Sequence, residues 1–192
     1  MVGSLVNQSM NFLVSGQVPR RMGSGHPNIA PYAVYPAADG HLVLAVGNDT
    51  QFRRLCQAVG QPEVGTDPRF ATISARVLNR AELDAWLVPV TRSRALADWT
   101  ALLERAQVPG GPINGMDQVF ADEQVIARGM RAELEHPVYG PVPTVRNPIR
   151  FSETPLEPAG APPALGQHNE EVLRSLGIEP DHLAELRQAG VI

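Results

Sequence analysis

The sequence predicts an α+β fold, and three observations support that prediction. The dipeptide Asp39-Gly40 separates two apolar runs, a pattern typical of a β-hairpin. Several other segments repeat apolar residues at helical spacing. Between residues 130 and 135, apolar and charged side chains alternate, which is the period of a half-exposed strand. Together these elements indicate a small mixed domain at residues 31–150, with a helix before it and a tail after it.

The first predicted element is a helix over residues 4–15, and Gly16 follows it as a stop signal. It has an apolar face and an amide face but no charged residue. Because an uncharged helix is usually packed on both sides, we expect covering elements, not all of them within this chain. The apolar face consists of Val6, Met10 and Leu13, and the amide face of Asn7, Gln8 and Asn11.

The central region is predicted to contain the hairpin and several helices. The second hairpin strand, residues 42–46, is apolar without alternation, which predicts burial of both its faces. Each following helix has a polar residue at its expected start. The expected caps are Asn48, Asp49 or Thr50 for the first helix, Asn79 and Ser93 for the next two, and Asp117 and Asp122 for two short ones.

The C-terminal third changes from strands to helices. After the strand at residues 130–135, residues 138–152 predict one or two further strands, whose prolines keep them at a sheet edge. Residues 153–165 are rich in proline and are expected to form an extended connector. Two final helices are predicted at residues 169–177 and 180–190.

Charge and composition exclude several classes of function. The net charge of −4 argues against a nucleic-acid partner bound through its phosphates. All 16 basic residues are arginine, so Schiff-base lysines and a P-loop lysine are absent. We see no signal peptide and no apolar run near the ~20 residues that span a bilayer. We therefore expect a soluble cytoplasmic protein without a membrane partner.

The residues with reactive side chains do not form a recognisable catalytic set. Cys56 is the single cysteine, and its place on the apolar side of a helix favours a buried structural thiol over a nucleophile. The five histidines are scattered without metal-ligand spacing, so no metal site is predicted. A serine in "MGSGH" lacks the preceding strand of a nucleophile elbow.

Two glycine-containing segments are candidates for ligand contact. In "AVGNDTQ" a glycine follows a strand and precedes a helix, so backbone amides there could bind an anion; a plain bend and helix cap is the alternative. In "VPGGPING" the glycines permit movement over a bound group, although a simple turn explains the pattern equally. His26 is open to the same two interpretations, a ligand contact or a loop histidine bonded to backbone.

Six segments occur in the order found in class III CoA-transferases, and the chain resembles that family over residues 4–192. The family includes formyl-CoA, carnitine and bile-acid CoA-transferases, and the similarity is strongest to members acting on dicarboxylic acids such as succinate and glutarate. The segments are "RRMGSGHPNIAPYAVYPAADGHLVLAVGNDTQFRRLC", "DPRFAT" with "ARVLNRAEL", "VPGGPIN", "VFADEQVIARGM", "HPVYGPVPTVRNPIRFSETP" and "PPALGQHNEEVLRSLG".

The resemblance implies that this chain is the C-terminal part of a protein about twice as long. Residues 1–30 would end a helix of a large doubly wound α/β domain, residues 31–150 would form the small α+β domain, and residues 151–192 would return to the large domain. The family's catalytic aspartate lies in the preceding half, so no catalytic residue is expected here. It attacks the acyl-CoA thioester and forms an anhydride and then an aspartyl-CoA thioester. Coenzyme A is a substrate, and no tightly bound cofactor is implied.

The resemblance also assigns places to the candidate residues. The acyl pocket would be bordered by His26, Asn28, Pro31 and Tyr32. A loop over the active site would comprise Gly47, Asn48, Asp49 and Gln51, together with Gly110 and Gly111. Formyl-CoA transferase has a run of glycines where this chain has "VGNDTQ", and Gly110 stands where the family often has cysteine.

The implied partners are an acyl-CoA, a small carboxylic acid and a second copy in an interlocked homodimer. Two alternatives remain open at this stage. The same superfamily contains α-methylacyl-CoA racemases, and the chain could instead be a non-catalytic module for binding or assembly.

Overall fold

The computed structural model describes residues 2–156 and 160–192. Its contacts divide the chain into two units, Met1–Ile113 and Asn114–Ile192. The predicted boundaries at residues 30 and 150 refer to a longer protein and stay predictions. The first unit contains α1 (Val6–Ser15), β1 (Tyr32–Pro36), β2 (His41–Ala45), α2 (Asp49–Ala58), α3 (Ile73–Leu78), α4 (Arg80–Arg92), α5 (Leu96–Ala106) and β3 (Gly110–Pro112), with short 3₁₀ turns at Val2–Ser4 and Pro62–Thr66.

The first unit is built on a three-stranded antiparallel sheet with β2 at its centre. The predicted hairpin is confirmed, since β1 and β2 pair through the turn at Asp39-Gly40. Apolar side chains from β2, α2, α4 and α5 form the core against this sheet. Among the fully buried residues are Leu42, Leu44, Phe52, Leu55, Cys56, Leu83, Leu87, Trp99 and Leu103.

The prediction that both faces of β2 are buried is wrong for the chain as described. Leu42 and Leu44 are fully buried, whereas Val43 and Ala45 are half-buried. Successive side chains of a strand point to opposite faces, so one face of β2 meets the core and the other is only partly covered. An apolar run by itself cannot show how much of the second face is covered.

Two of the predicted helix caps are corrected. Ser93 ends α4, where its hydroxyl donates to the carbonyl of Val90 at 2.7 Å. The start of α5 is instead bonded by Asp39 of the hairpin turn, whose carboxylate accepts from the backbone N–H of Leu96 at 2.8 Å. Asn79 does precede α4, but its side chain donates to backbone carbonyls of Arg69 and of α3 and caps nothing in α4.

The second unit contains two pairs of short helices and one hairpin. The alternating segment forms β4, which pairs with β5 in a two-stranded antiparallel sheet, and its predicted exposed and half-buried faces are confirmed. Asp122 caps the second short helix as predicted, whereas the first begins at Met116 rather than at Asp117. The elements are α6 (Met116–Ala121), α7 (Glu123–Ala127), β4 (Arg131–His136), β5 (Gly140–Val145), α8 (Asn169–Ser175) and α9 (Pro180–Gln188).

The observed mixture of helices and small antiparallel sheets confirms the predicted α+β class. The expected connector at residues 153–165 includes residues 157–159, which lie outside the described part of the chain. Among the residues described, no helix has the length and apolar character needed to span a bilayer.

Candidate functional site

The three segments singled out in the sequence meet at one end of the sheet in the first unit. Tyr32, at the start of β1, is paired with Ala45 at the end of β2. Gly110, at the start of β3, is paired with Leu44. Gly47 follows β2 by two residues, so it lies at the same end. Antiparallel register therefore brings together residues that are up to about 80 positions apart in sequence.

The segment before β1 is held in one conformation by local bonds. The rings of His26 and Tyr32 stack, with centroids 5.2 Å apart and planes inclined by 3°. The His26 backbone N–H donates to the Tyr32 carbonyl at 2.9 Å, and the Asn28 N–H donates to His26 Nδ1 at 3.1 Å. The peptide bond before Pro31 is cis. Since Nδ1 accepts a bond, the neutral ring carries its hydrogen on Nε2.

The amide face of α1 contacts this same segment. The Asn7 side-chain amide lies 3.2 Å from His26 Nε2. The side chains of Asn11 and Asn28 form a reciprocal pair with both N···O distances at 3.0 Å. Of the three predicted amides, Asn11 thus bonds the candidate pocket wall and Asn7 lies next to it. A neutral imidazole accepts at one nitrogen only, so Nδ1 of His26 is engaged by the Asn28 N–H, whereas Nε2–H and the Asn7 amide nitrogen face each other as two donors. Engagement of Nδ1 favours a wall residue over a proton-transfer group.

Among the residues that the structure describes, none covers the apolar face of α1 to a comparable extent. Val6, Met10 and Leu13 are between 52% and 72% exposed. Exposed apolar side chains along one helix face are typical of a surface that packs against another element. The expectation that a further element covers this face stays a prediction.

Arg76 connects the pocket wall to the start of α2 from inside the core. Its side chain is fully buried, and its guanidinium donates to the carbonyls of Ala30 at 2.6 Å and Phe70 at 2.8 Å. Its third bond, at 2.8 Å, is an ion pair with Asp49. The guanidinium also lies 4.5 Å from the ring centroid of Phe52. Burial lowers the pKa of Arg76, and Asp49 opposes that shift.

Arg80 lies four residues after Arg76, at the start of α4, and bonds the wall itself. Its Nη2 is 2.7 Å from the carbonyl oxygen of His26 and 3.2 Å from that of Ile29. The Pro27 carbonyl lies at 3.4 Å from the same nitrogen. The two arginines therefore hold the carbonyls of residues 26, 27, 29 and 30. We call residues 25–32, which precede and begin β1, the entry segment.

The segment at residues 47–51 is a closed helix cap. The Gly47 N–H donates to Gln51 Oε1 at 2.7 Å, and the Gln51 N–H donates to Asn48 Oδ1 at 2.8 Å. Asp49 is the ion-pair partner of Arg76. These reciprocal bonds restrain the segment and use the Gly47 amide internally. That these residues form a loop over an active site stays a prediction.

The second glycine segment was predicted as a loop, but Gly110, Gly111 and Pro112 form β3 beside β2. A methyl group added at Gly110 would lie 2.7 Å from the backbone carbonyl oxygen of Val43, so only glycine fits there without a shift. A methyl group at Gly111 would have no heavy atom within 4 Å. The two adjacent glycines are thus under different constraints.

Two buried side chains behind the site have raised pKa values. Burial raises the pKa of the Cys56 thiol to about 12, and the predicted buried structural thiol is confirmed. Burial also raises the pKa of Tyr35, whose hydroxyl donates to Asp84 at 2.8 Å. Among the described residues, no group of three or more His, Cys, Asp or Glu side chains could hold a metal ion.

Sequence reasoning missed the two arginines. Arginine is rarely buried, and the short helix α3 that carries Arg76 was not predicted. Residue spacing gave no signal either, because Arg76 and Arg80 lie on two different helices, α3 and α4, and the i, i+4 rule applies only within one helix.

The comparisons with known proteins agree with this fold. Residues 1–169 match the family model of CoA-transferase family III. A structure described as a CAIB/BAIF family protein from Brucella suis is 45% identical, with a TM-score of 0.74 over 91% of this chain and 45% of its own. The chain therefore belongs to CoA-transferase family III.

Two curated relatives show which named members of that family the chain is similar to. A succinate–glutarate CoA-transferase of Agrobacterium fabrum is 46% identical over 172 residues, which are 90% of this chain and 43% of that protein. A human succinyl-CoA:glutarate CoA-transferase is 34% identical over 192 residues, covering 100% of this chain and 44% of its own length. The chain spans less than half of the length of the curated relatives it matches.

Proposed function

We propose that this chain forms the C-terminal part of a CoA-transferase that moves CoA between an acyl-CoA thioester and a free carboxylic acid. The main observation in support is that the entry segment, Gly47 and Gly110 lie at the same end of the sheet. The chain is also a member of CoA-transferase family III. Relatives named for succinate and glutarate support small dicarboxylic acids as the substrate class.

The proposed chemistry uses an aspartate that is supplied by sequence preceding this chain. Its carboxylate attacks the thioester carbonyl and displaces the CoA thiolate, leaving a mixed anhydride. The thiolate then attacks the aspartyl carbonyl of the anhydride, which releases the first acid and forms an aspartyl-CoA thioester. An incoming carboxylate takes the CoA by the reverse steps, and no oxidation or reduction occurs.

In this proposal the chain's own residues shape and shelter the acyl cavity. Mixed anhydrides hydrolyse readily, so water must be kept from the site. His26, Asn28, Pro31 and Tyr32 form the wall, and residues 47–51 with Gly110 and Gly111 border the same end of the sheet. We further propose that the working enzyme is a cytoplasmic homodimer.

The experiment compares this chain with the protein that includes the preceding half. Exchange of labelled CoA between succinyl-CoA and glutarate is followed, together with the configuration at the α-carbon of an α-methylacyl-CoA. We expect exchange from the longer protein and none from the 192 residues alone. Racemisation without exchange would establish the racemase alternative. Absence of both reactions from the longer protein would favour a binding module. Turnover by this chain alone would contradict the proposal that the catalytic aspartate lies in the preceding half.

A further inference from the structure

Three backbone carbonyls of the pocket wall converge on one arginine nitrogen. We propose that Arg80 is a positioning residue that sets the shape of residues 26–29, and through them the orientation of the His26 ring. The inference rests on the proposed function, because it treats these residues as the wall of the acyl pocket. Arg80 acts through the wall and does not touch the substrate.

The geometry gives Arg80 few alternative roles. Nη2 lies within 3.4 Å of the carbonyl oxygens of His26, Pro27 and Ile29. Such a turn of carbonyls creates a local negative potential, which a guanidinium neutralises while donating several bonds. Nη1 lies beside Gly25, where an added methyl group would be 3.8 Å away. The side chain thus follows the wall from residue 25 to residue 29.

The nearest expected ion-pair partner is not used. Asp84 lies four residues after Arg80 on α4, a spacing at which opposite charges usually pair. Asp84 accepts from the Tyr35 hydroxyl, and among the described residues Arg80 has no carboxylate oxygen within 4.0 Å. The guanidinium therefore bonds the wall carbonyls and not a carboxylate.

Arg80 differs from Arg76 in how much of the fold depends on it. Arg76 is fully buried and joins four segments of the core, so its loss would affect folding. Arg80 is half-buried, and within the described part of the chain its hydrogen bonds go to the entry segment alone. Without it, water can reach the three carbonyls and the wall can change shape while the core stays packed.

The experiment uses the longer protein that contains this chain, with Arg80→Gln, Arg80→Lys and the control Arg92→Gln. Arg92 lies on the same helix and is exposed, and its replacement by glutamine removes the same positive charge. Hydrogen–deuterium exchange is measured on peptides covering residues 24–32 without substrate, and kcat and KM for the acceptor acid are measured separately. We expect Arg80→Gln to speed exchange about tenfold and to lower kcat/KM by about 10- to 100-fold.

The melting temperature of Arg80→Gln should stay within about 4 °C of that of Arg92→Gln. Arg80→Lys should be intermediate in both exchange and KM, since one ammonium group can reach only some of the carbonyls. A merely structural arginine would lower the melting temperature and leave exchange at residues 24–32 and the KM unchanged. If either Arg80 variant matches Arg92→Gln in exchange and KM, the proposal is overturned. If the longer protein transfers no CoA, the proposed function fails, and the exchange comparison still decides whether Arg80 positions the wall.

Discussion

Residues 2–113 and residues 114–192 differ in how they bury apolar side chains. The first unit has a cluster of 16 buried apolar residues drawn from its sheet and helices. In the second unit, among its described residues, only His136 and Leu183 are buried. Large apolar side chains such as Ile126 and Phe151 remain more than half exposed there.

This difference shows that regular secondary structure and a self-sufficient core are separate properties. The hairpin β4–β5 has a complete register of six residue pairs, but a two-stranded sheet without a covered face is only marginally stable in water. The first unit encloses β2 between two strands and places helices against it. We therefore expect the stability of the chain to reside in the first unit, where the candidate site also lies.

The most direct way to test the contrast is to make the same substitution in each unit. Leu87 is fully buried in α4, whereas Leu134 is half-buried in β4. Leu87→Ala should lower the free energy of unfolding by about 2–5 kcal/mol, because it removes buried contacts and leaves a cavity. Leu134→Ala should cost less than about 1.5 kcal/mol, since its site is already partly hydrated. Urea denaturation followed by tryptophan fluorescence and circular dichroism measures both.

Both tryptophans, Trp86 and Trp99, lie in the first unit, so fluorescence reports on that unit and circular dichroism on the whole chain. Equal losses of unfolding free energy for the two variants would show that Leu134 contributes as much to stability as Leu87, and that the two units do not differ in this way.

A second pair of variants tests how tightly the candidate site is built into the stable unit. Gly110→Ala places a methyl group 2.7 Å from the carbonyl oxygen of Val43, and we expect a loss of about 1–3 kcal/mol. Gly111→Ala meets no atom within 4 Å and is the matched control, with an expected change within about 0.5 kcal/mol. Thermal unfolding of both variants measures the difference. Similar stabilities would indicate that β3 is free to move away from β2.

Local sequence signals predicted the parts of this structure that depend on local interactions. The Asp39-Gly40 turn, the Asp122 cap and the alternation in β4 were all read from a few adjacent residues. The gathering of residues 26–32, Gly47 and Gly110 was expected only through the family resemblance. The register of β1, β2 and β3 brings them together, and local sequence patterns do not reveal which distant segments pair or in what register.

The errors have a common physical cause, which is that distant groups replaced local ones. Ser93 has the chemistry of a cap, but the carboxylate of Asp39 reaches the start of α5 from a turn 57 residues away. Arg76 has the chemistry of a surface residue, but two carbonyls and Asp49 satisfy its guanidinium in the core. Which distant group becomes the hydrogen-bond partner depends on tertiary packing, and the spacing of residues along the chain does not indicate it.

The smallest expected effect concerns the thiol within the core of the first unit. Burial raises the pKa of Cys56 from 9.0 to about 12, so the unfolded chain loses this proton first as the pH rises. Stability should therefore fall as the pH rises through the unfolded pKa, by about 1 kcal/mol between about pH 8 and pH 9.5. The chain has no lysine, so no side-chain amine titrates in this window. Urea denaturation at each pH measures the slope, most of which Cys56→Ala should remove, leaving the smaller contribution of Tyr35. An unchanged slope in that variant would assign it to other groups.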